Sequence, residues 1–334
     1  MIINKVKFLE SFLGPRASDI SRYNDVLFSC PNKEHSKPKL SVNLDTDKEG
    51  NWGKFHCWVC GKDMSGKSLI SLLRRLKRTT LISEYAKSVK DHRWLDIEDS
   101  DLDNNKDLEI SLPETFIPLS TYILKQSKKY NKQLQNALEY LKSRDISNID
   151  IIINMLGIST NKDYYGYVMI PSFDNEGKLN YFVGRSYFGH KYRYKNCRND
   201  RLSIIFNEVN IDWNKDLLLV EGPFDVIKSK VNAACLLGSS LSRRSLLFKR
   251  IVENNTPILL SLDTDEVGKL KTLDTVKLLT EYGISVKIID IDNKYDDIGE
   301  MKYEDWINTY DYQKTNNDVV SDEFLMKRKI NLIL

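Results

Sequence analysis

The chain has 334 residues, 29% of them charged, and a net charge of +3, a length that accommodates two or three folded domains. No apolar run approaches the length of a membrane span, and the charged start "MIINKVKFLESFLG" lacks the apolar core of a secretory signal. These features argue against a membrane protein and for a soluble, cytoplasmic one, whose mild positive charge permits a nucleic-acid partner without requiring it.

Residues 1–90 read as one domain. It holds two short β-like pieces, "DVLFSC" and "KLSVNL", then a cysteine pair, then "SLISLLRRLKR" with leucines at helical spacing. Five cysteines in a reducing compartment do not form a disulfide framework. Cys197 and Cys235 stand alone, but Cys30, Cys57 and Cys60 cluster with two histidines. Cys30-x4-His35 and Cys57-x2-Cys60 provide two ligand pairs, the arrangement of a closed tetrahedral zinc ribbon. His56 is the rival of His35; a ligand directly beside Cys57 would have to turn two adjacent side chains onto one ion, which favours His35.

Overlapping the cysteine pair, Gly61–Ser68 ("GKDMSGKS") satisfies the phosphate-binding pattern G-x-x-x-x-G-K-[ST]. A working phosphate loop follows a buried apolar strand, whereas this stretch follows the knuckle "GKFHCWVCG". We therefore expect a knuckle turn, with Gly61 at positive φ, that leads into a helix. Trp52, Phe55 and Trp58 serve either as the core of this small domain or as stacking surfaces for bases.

Residues 91–112, which contain most of "LDIEDSDLDNNKDLEIS", have too few apolar side chains to fold and read as an acidic flexible linker. The second domain spans 113–310. It begins with a helical region (122–157) and the hairpin "YGYVMIPSFDNEGKLNYFVGRSY" around the turn "DNEG". Then "DLLLV", "PILLSLD" and "SVKIIDID" alternate with the helical patterns "FDVIKSKV" and "KTLDTVKLLTEYG", which predicts an α/β fold with parallel strands and crossover helices. Residues 311–334 read as a tail.

Glu221 ends "LLLVE", Asp263 and Asp265 end "ILLSLDTD", and Asp296 and Asp297 follow "SVKIIDID". In a parallel α/β sheet the carboxyl ends of the strands converge on one crevice. Carboxylates gathered there repel one another unless divalent cations neutralise them, and hard oxygen ligands suit Mg²⁺ or Mn²⁺. Three basic stretches, 72–78, 190–198 and 242–250, are interleaved with Leu, Tyr or Phe; in the second, Tyr192 and Tyr194 flank Arg193 as candidates for phosphate contact and base stacking.

In order, "VEGPFDVI", "LLGSSLSRRSLLFKRI", "ILLSLDTDEVGKLKTLDTVKLL" and "KYDDIGEM" resemble the TOPRIM core of bacterial DnaG-type primases. The hairpin resembles the segment that precedes this core in those enzymes, "HKYRYKN" falls where their basic segment lies, and the Cys/His region is similar to their zinc ribbon. The resemblance covers most of 25–75 and 160–305, with the TOPRIM core at about 214–300. It implies a DNA primase that makes short RNA primers from nucleoside triphosphates on single-stranded DNA. Glu221, Asp263, Asp265 and Asp297 would hold catalytic Mg²⁺ or Mn²⁺, and Cys30, His35, Cys57 and Cys60 a structural zinc. Arg185, Lys191, Arg193 and Lys195 would contact template or nucleotide, and a replicative helicase would be the partner. Two departures stand out: the first ligand pair is Cys-x4-His, and Gly299 lies where a second aspartate is often found. The short chain looks like the stand-alone primases of tailed phages, which would act in the host cytoplasm. A TOPRIM nuclease and a non-catalytic zinc module that binds nucleic acid are the rival functions.

Overall fold

The computed structural model describes residues 4–32, 35, 38–46, 52–88, 110–125, 132–238, 240–321 and 324. Most of the expected acidic linker therefore lies outside the described residues. The chain divides into two compact units: Met1–Asp103 with Lys249–Asn255 and Leu278–Ile284, and Asn104–Phe248 with Thr256–Lys277 and Ser285–Leu334.

In the first unit, helix α1 (Lys5–Leu13) is capped by the Asn4 side chain, which accepts the Lys7 N–H. Strands β1 (Asp25–Ser29), β2 (Pro38–Asn43), β3 (Phe55–Cys57) and β4 (Gly61–Gly66) form an antiparallel sheet in that order. Helices α2 (Leu69–Arg75) and α3 (Ile82–Ser88) follow. Strand alternation buries Val26, Phe28, Leu40 and Val42, and the i, i+3, i+4 leucines of α2 are buried as well. Trp52 packs against Tyr85 at 5.6 Å and against Phe8 at 6.3 Å. Trp52 and Phe55 are therefore core, whereas Trp58 is 71% exposed.

The glycine run with the phosphate-loop pattern is itself strand β4. Phe55 pairs with Gly66, His56 with Ser65 and Cys57 with Gly61. An extended strand directs successive N–H groups to alternate sides, so they do not converge on one phosphate as those of a phosphate loop must. Gly61 adopts φ +58°, the positive value expected after the knuckle. Gly66 is dictated by packing, because a Cβ there would lie 2.5 Å from the Phe55 ring.

The second unit opens with β5 (Phe116–Pro118), α4 (Ser120–Lys125), α5 (Lys132–Ser143) and α6 (Asn148–Ile153). Strands β6 (Gly157–Ser159), β7 (Tyr167–Phe173), β8 (Leu179–Ser186) and β9 (Tyr194–Asn196) then join β5 in an antiparallel sheet in chain order. The predicted hairpin is β7–β8; Asp174 Oδ1 accepts the Glu176 and Lys178 N–H groups to close its turn.

A parallel sheet follows, built from β10 (Leu217–Val220), β11 (Ala233–Cys235), β12 (Ile258–Leu260) and β13 (Val286–Ile288) in the order β11-β10-β12-β13. Its connections carry α7 (Pro223–Ser229), α8 (Leu246–Asn254) and α9 (Glu266–Thr280). This is the parallel sheet with crossover helices expected from the sequence. Helix α10 (Tyr303–Asn316) runs through the boundary expected at 310. Trp306 is fully buried there and donates its indole N–H to the Ser229 carbonyl at 3.1 Å. One hydrophobic core joins both sheets of this unit, from Leu141 and Ile158 through Val183 and Leu218 to Trp306 and Tyr310.

Candidate functional site

Two sites emerge, one in each unit. In the first, the ligand atoms of Cys30, His35, Cys57 and Cys60 lie within 4.8 Å of one another. His35 Nε2 is 3.2 Å from Cys57 Sγ and 3.4 Å from Cys60 Sγ, and the Cys30 and Cys60 sulfurs are 3.9 Å apart. The cysteines bracket strands, with Cys30 just after β1 and Cys57 at the end of β3, so the sheet register brings the two pairs together. His56 pairs with Ser41 across the sheet, and its ring meets the edge of Trp58 at 4.8 Å. The cluster therefore takes His35. Burial drives the Cys30 thiol up to about 12; at Cys57 burial also pushes upward, but the backbone N–H groups of Cys60 and Val59 together with the Cys30 and Cys60 thiols outweigh it and bring it down to about 7. Three sulfurs and one imidazole, with Cys30 and Cys57 buried and His35 and Cys60 half-buried, have the donor chemistry of a structural zinc site.

The second site is a cavity of about 270 Å³ at the carboxyl ends of the parallel strands. Glu221 directly follows β10. Asp263 lies three residues past β12, and Asp297 precedes the tight 3₁₀ turn Ile298–Glu300 beyond β13. All three line the cavity, together with Asp225. The lining also carries Arg185, Arg193 and Arg201. Carboxylates and guanidiniums thus share one cavity, a combination suited to divalent cations and phosphate groups.

The carboxylates destabilise one another's charge. Burial, then Glu221 and Asp297, push the Asp263 carboxyl up to about 7. Burial and Asp297 push Asp225 up to about 7, and burial followed by Glu300 raises Asp297. Glu221 is also raised by burial, against the pull of Lys271, whose Nζ lies 3.3 Å from each of its oxygens. Asp297 Oδ1 is buried without a hydrogen-bond partner among the described residues. A buried orphan oxygen beside raised carboxyls fits a divalent cation, which would supply the missing positive charge.

Asp225 has a different task. Its Oδ2 accepts the Gly222 N–H at 3.0 Å and its Oδ1 accepts the Gly299 N–H at 3.0 Å. It thus caps α7 and ties the turn carrying Asp297 to the end of β10. A Cβ at Gly299 would lie 3.1 Å from Asp225 Oδ1 and 3.1 Å from Asp297 Oδ1. Glycine at 299, where the resemblance suggested an aspartate, lets these two carboxylates close on the turn.

Asp265, the other expected metal ligand, lies at the rim. Its Oδ1 accepts the Gly268 N–H at 2.6 Å and caps α9, and it does not line the cavity. The four basic residues separate as well. Arg185 is buried, donates to the Tyr140 hydroxyl at 3.0 Å, and stacks over Tyr194 at 4.5 Å and Phe224 at 5.3 Å. Arg193 lies 4.0 Å from Asp297 and 3.9 Å from Glu300. Lys191 projects over Tyr192 at 5.7 Å, and Lys195 pairs with Asp163 at 3.5 Å; neither lines the cavity. Tyr194, beneath Arg185, is half-buried and does not offer a free face to a base.

Sequence reasoning missed Asp225, Arg201 and Lys271. Asp225 left a signal, since it follows Glu221 within "EGPFD". Arg201 and Lys271 left none, because each enters the site from a segment whose packing alone brings it there.

No family model matches the chain. The DNA primase of Clostridium acetobutylicum is 23% identical over 306 residues, covering 78% of this chain and 49% of that protein. The DNA primase of Staphylococcus epidermidis is 24% identical over 188 residues, covering 50% of this chain and 30% of that protein. The chain thus spans about half the length of the first and less than a third of the second. Among solved structures, the zinc-binding and RNA polymerase domains of the Aquifex aeolicus primase align over 99% of this chain and 87% of theirs, at 19% identity and a TM-score of 0.48. A DnaG primase catalytic domain bound to single-stranded DNA aligns over 65% of this chain and 82% of its own, at 16% identity and a TM-score of 0.46.

Proposed function

We propose that the chain is a DNA primase, a template-directed RNA polymerase that joins nucleoside triphosphates into short primers on single-stranded DNA. The observation that carries this reading is the cavity lined by Glu221, Asp263 and Asp297 together with Arg185, Arg193 and Arg201. The sequence similarity to two bacterial DNA primases supports it.

In this reading Glu221, Asp263 and Asp297 hold Mg²⁺ or Mn²⁺, with Asp265 contributing from the rim. Bound there, the ions would offset charge on the attacking 3′-hydroxyl oxygen and on the departing pyrophosphate. The chain's own part is positioning. Asp225 fixes the Asp297 turn against Gly222, and Arg193 holds Asp297 and Glu300 while leaving donors for a triphosphate. Arg185 is immobilised by Tyr140, Tyr194 and Phe224, so its guanidinium would meet a phosphate without first being ordered. The Cys30–His35–Cys57–Cys60 cluster would hold zinc and present the exposed Trp58 to the template. A replicative helicase partner and a cytoplasmic location belong to the same proposal and rest on the resemblance alone.

The test is to incubate the protein with single-stranded DNA, labelled nucleoside triphosphates and Mg²⁺. Short RNA products are expected, and Glu221→Gln and Asp263→Asn should each lower their yield by ~10²-fold or more. Shortened DNA in place of RNA would mean a nuclease, and binding with neither product would mean a non-catalytic module. Near-normal primer yield in both variants would make the carboxylate cluster structural.

A further inference from the structure

The second unit holds another cavity, of about 260 Å³, where the loops after β12 and β13 meet α9. It is smaller than the roughly 300–1,000 Å³ of pockets for drug-sized ligands and so suits a small molecule. Leu260, Leu262, Ile288, Ile289 and Ile291 give it a buried aliphatic lining. Asp263 is the one described residue that lines both this cavity and the carboxylate cavity. Nothing in the polymerase chemistry uses this second space.

Its polar lining is richer in acceptors than in donors. Thr264 donates its hydroxyl to the Tyr295 carbonyl at 2.9 Å, and Thr272 donates to the Gly268 carbonyl at 2.9 Å. Each hydroxyl hydrogen is thereby engaged, and what the oxygen still offers a ligand is a lone pair. The ionised carboxylates of Asp263 and Asp290 also only accept. On the donor side the lining has the ammonium of Lys269, which is exposed, and the amide of Asn293, which can serve either way.

The acceptors stand on fixed backbone. The Gln313 side chain accepts the Asp290 N–H at 2.8 Å and donates to the Asp290 carbonyl at 2.6 Å. The bond from Thr264 to Tyr295 ties the loop after β12 to the loop after β13. A ligand therefore meets a lining that is already built.

These features select one class of occupant. An aliphatic lining takes up a hydrocarbon chain, and acceptor oxygens beside it call for positively charged N–H donors. A small aliphatic amine has both parts. An organic anion would meet two carboxylates with one lysine to offset them, and an uncharged chain would leave the acceptors without partners.

We propose that this cavity binds a small aliphatic amine, whose ammonium pairs with Asp263 and Asp290 while its chain lies against the leucines and isoleucines. Because Asp263 also lines the carboxylate cavity, an amine and a divalent cation draw on one carboxylate from two cavities. The two cations repel, so each weakens the other's binding, by the same factor in either direction. Amine binding is independent of the polymerase reading; only its effect on primer synthesis rests on that reading.

The test is calorimetric titration of the full chain at pH 8, free of DNA, nucleotide and added divalent cation, with pentylamine, pentanol and pentanoate. Pentylamine should bind, and the alcohol and the acid should bind at least ~10-fold more weakly, the scale of one lost charge pair. Asp290→Asn removes one of the two carboxylates without touching the carboxylate cavity and should weaken the amine by ~10-fold. Lys269→Gln removes the resident cation and should tighten it. Nα-acetyl-lysine amide, standing in for a lysine of another protein, should bind more weakly than pentylamine, because its peptide groups lose water on entry. Tighter binding of the lysine derivative would make the occupant a partner's side chain and overturn the small-amine assignment. Equal affinity for amine and alcohol would overturn it too, as would preference for pentanoate or an unchanged affinity in Asp290→Asn. Amine affinity that is unmoved by Mg²⁺ at a concentration supporting primer synthesis would overturn the sharing of Asp263. Amine binding without primer synthesis would keep the site and reject the polymerase; primer synthesis without amine binding would do the opposite.

Discussion

Asp263 is a carboxyl whose folded environment works against its charge, with burial and two carboxylate neighbours pushing it up to about 7. A raised carboxyl binds its proton more tightly folded than unfolded, so its contribution to stability is present at low pH and is lost as pH rises from about 4 through about 7. Metal-free Asp263→Asn should therefore melt higher than metal-free wild type at pH 8, with the difference vanishing near pH 4. A difference that grew toward acid would mean the carboxylate is stabilised when ionised, the reverse of what its neighbours dictate. The cysteine cluster gives a second prediction. Cys57→Ser should release zinc from purified protein, and His35→Ala should lower zinc content more than His56→Ala, as metal analysis would report. Glu221 and Asp263 could be picked from the sequence because each follows an apolar run whose only plausible place is a buried strand. Asp225 could not be assigned its role that way, since that depends on a bond to Gly299, 74 residues away. The choice between His35 and His56 was weighed from adjacency, but the pairing of His56 with Ser41 and its contact with Trp58 are what turn it elsewhere.

At the level of elements, the phosphate-loop pattern and α10 teach opposite lessons. Gly61–Gly66 matches a motif but is a paired strand, so a motif's spacing says little until its local structure is known. Lys67→Ala should accordingly leave nucleoside triphosphate binding close to wild type. DNA-stimulated ATPase activity lost only in that variant would restore the phosphate-loop reading. Helix α10 shows how a real element can hide. Its sequence is mostly polar, and its buried face is reduced to Trp306 and Tyr310 one turn apart. Two aromatic anchors in a polar stretch give too faint a period to extend a domain past 310, although their rings complete the core. Trp306→Ala should cost about 3–5 kcal/mol in denaturant unfolding, the range for emptying a fully buried aromatic site. A cost below about 1 kcal/mol, ordinary for surface positions, would place α10 outside the cooperative core.

For the molecule as a whole, a net charge of +3 understates its polarity, because one cavity gathers three guanidiniums with four carboxylates. If the chain binds single-stranded DNA as proposed, its affinity should fall steeply as salt rises, and Lys191→Ala should make that fall shallower. The Lys271–Glu221 pair has a consequence of another kind. Because an ammonium already balances Glu221, the protein can finish folding before any divalent ion reaches it. If the cavity takes Mg²⁺ as proposed, loading would be an exchange of one cation for another, with the ammonium withdrawing as the ion arrives. The ammonium would then compete for the site and raise the free Mg²⁺ needed to fill it. In Lys271→Ala this threshold should drop, so that primer synthesis reaches half its maximum at a lower Mg²⁺ concentration than in wild type; an unchanged or higher requirement would show that the ammonium is a partner of the ion and not its rival.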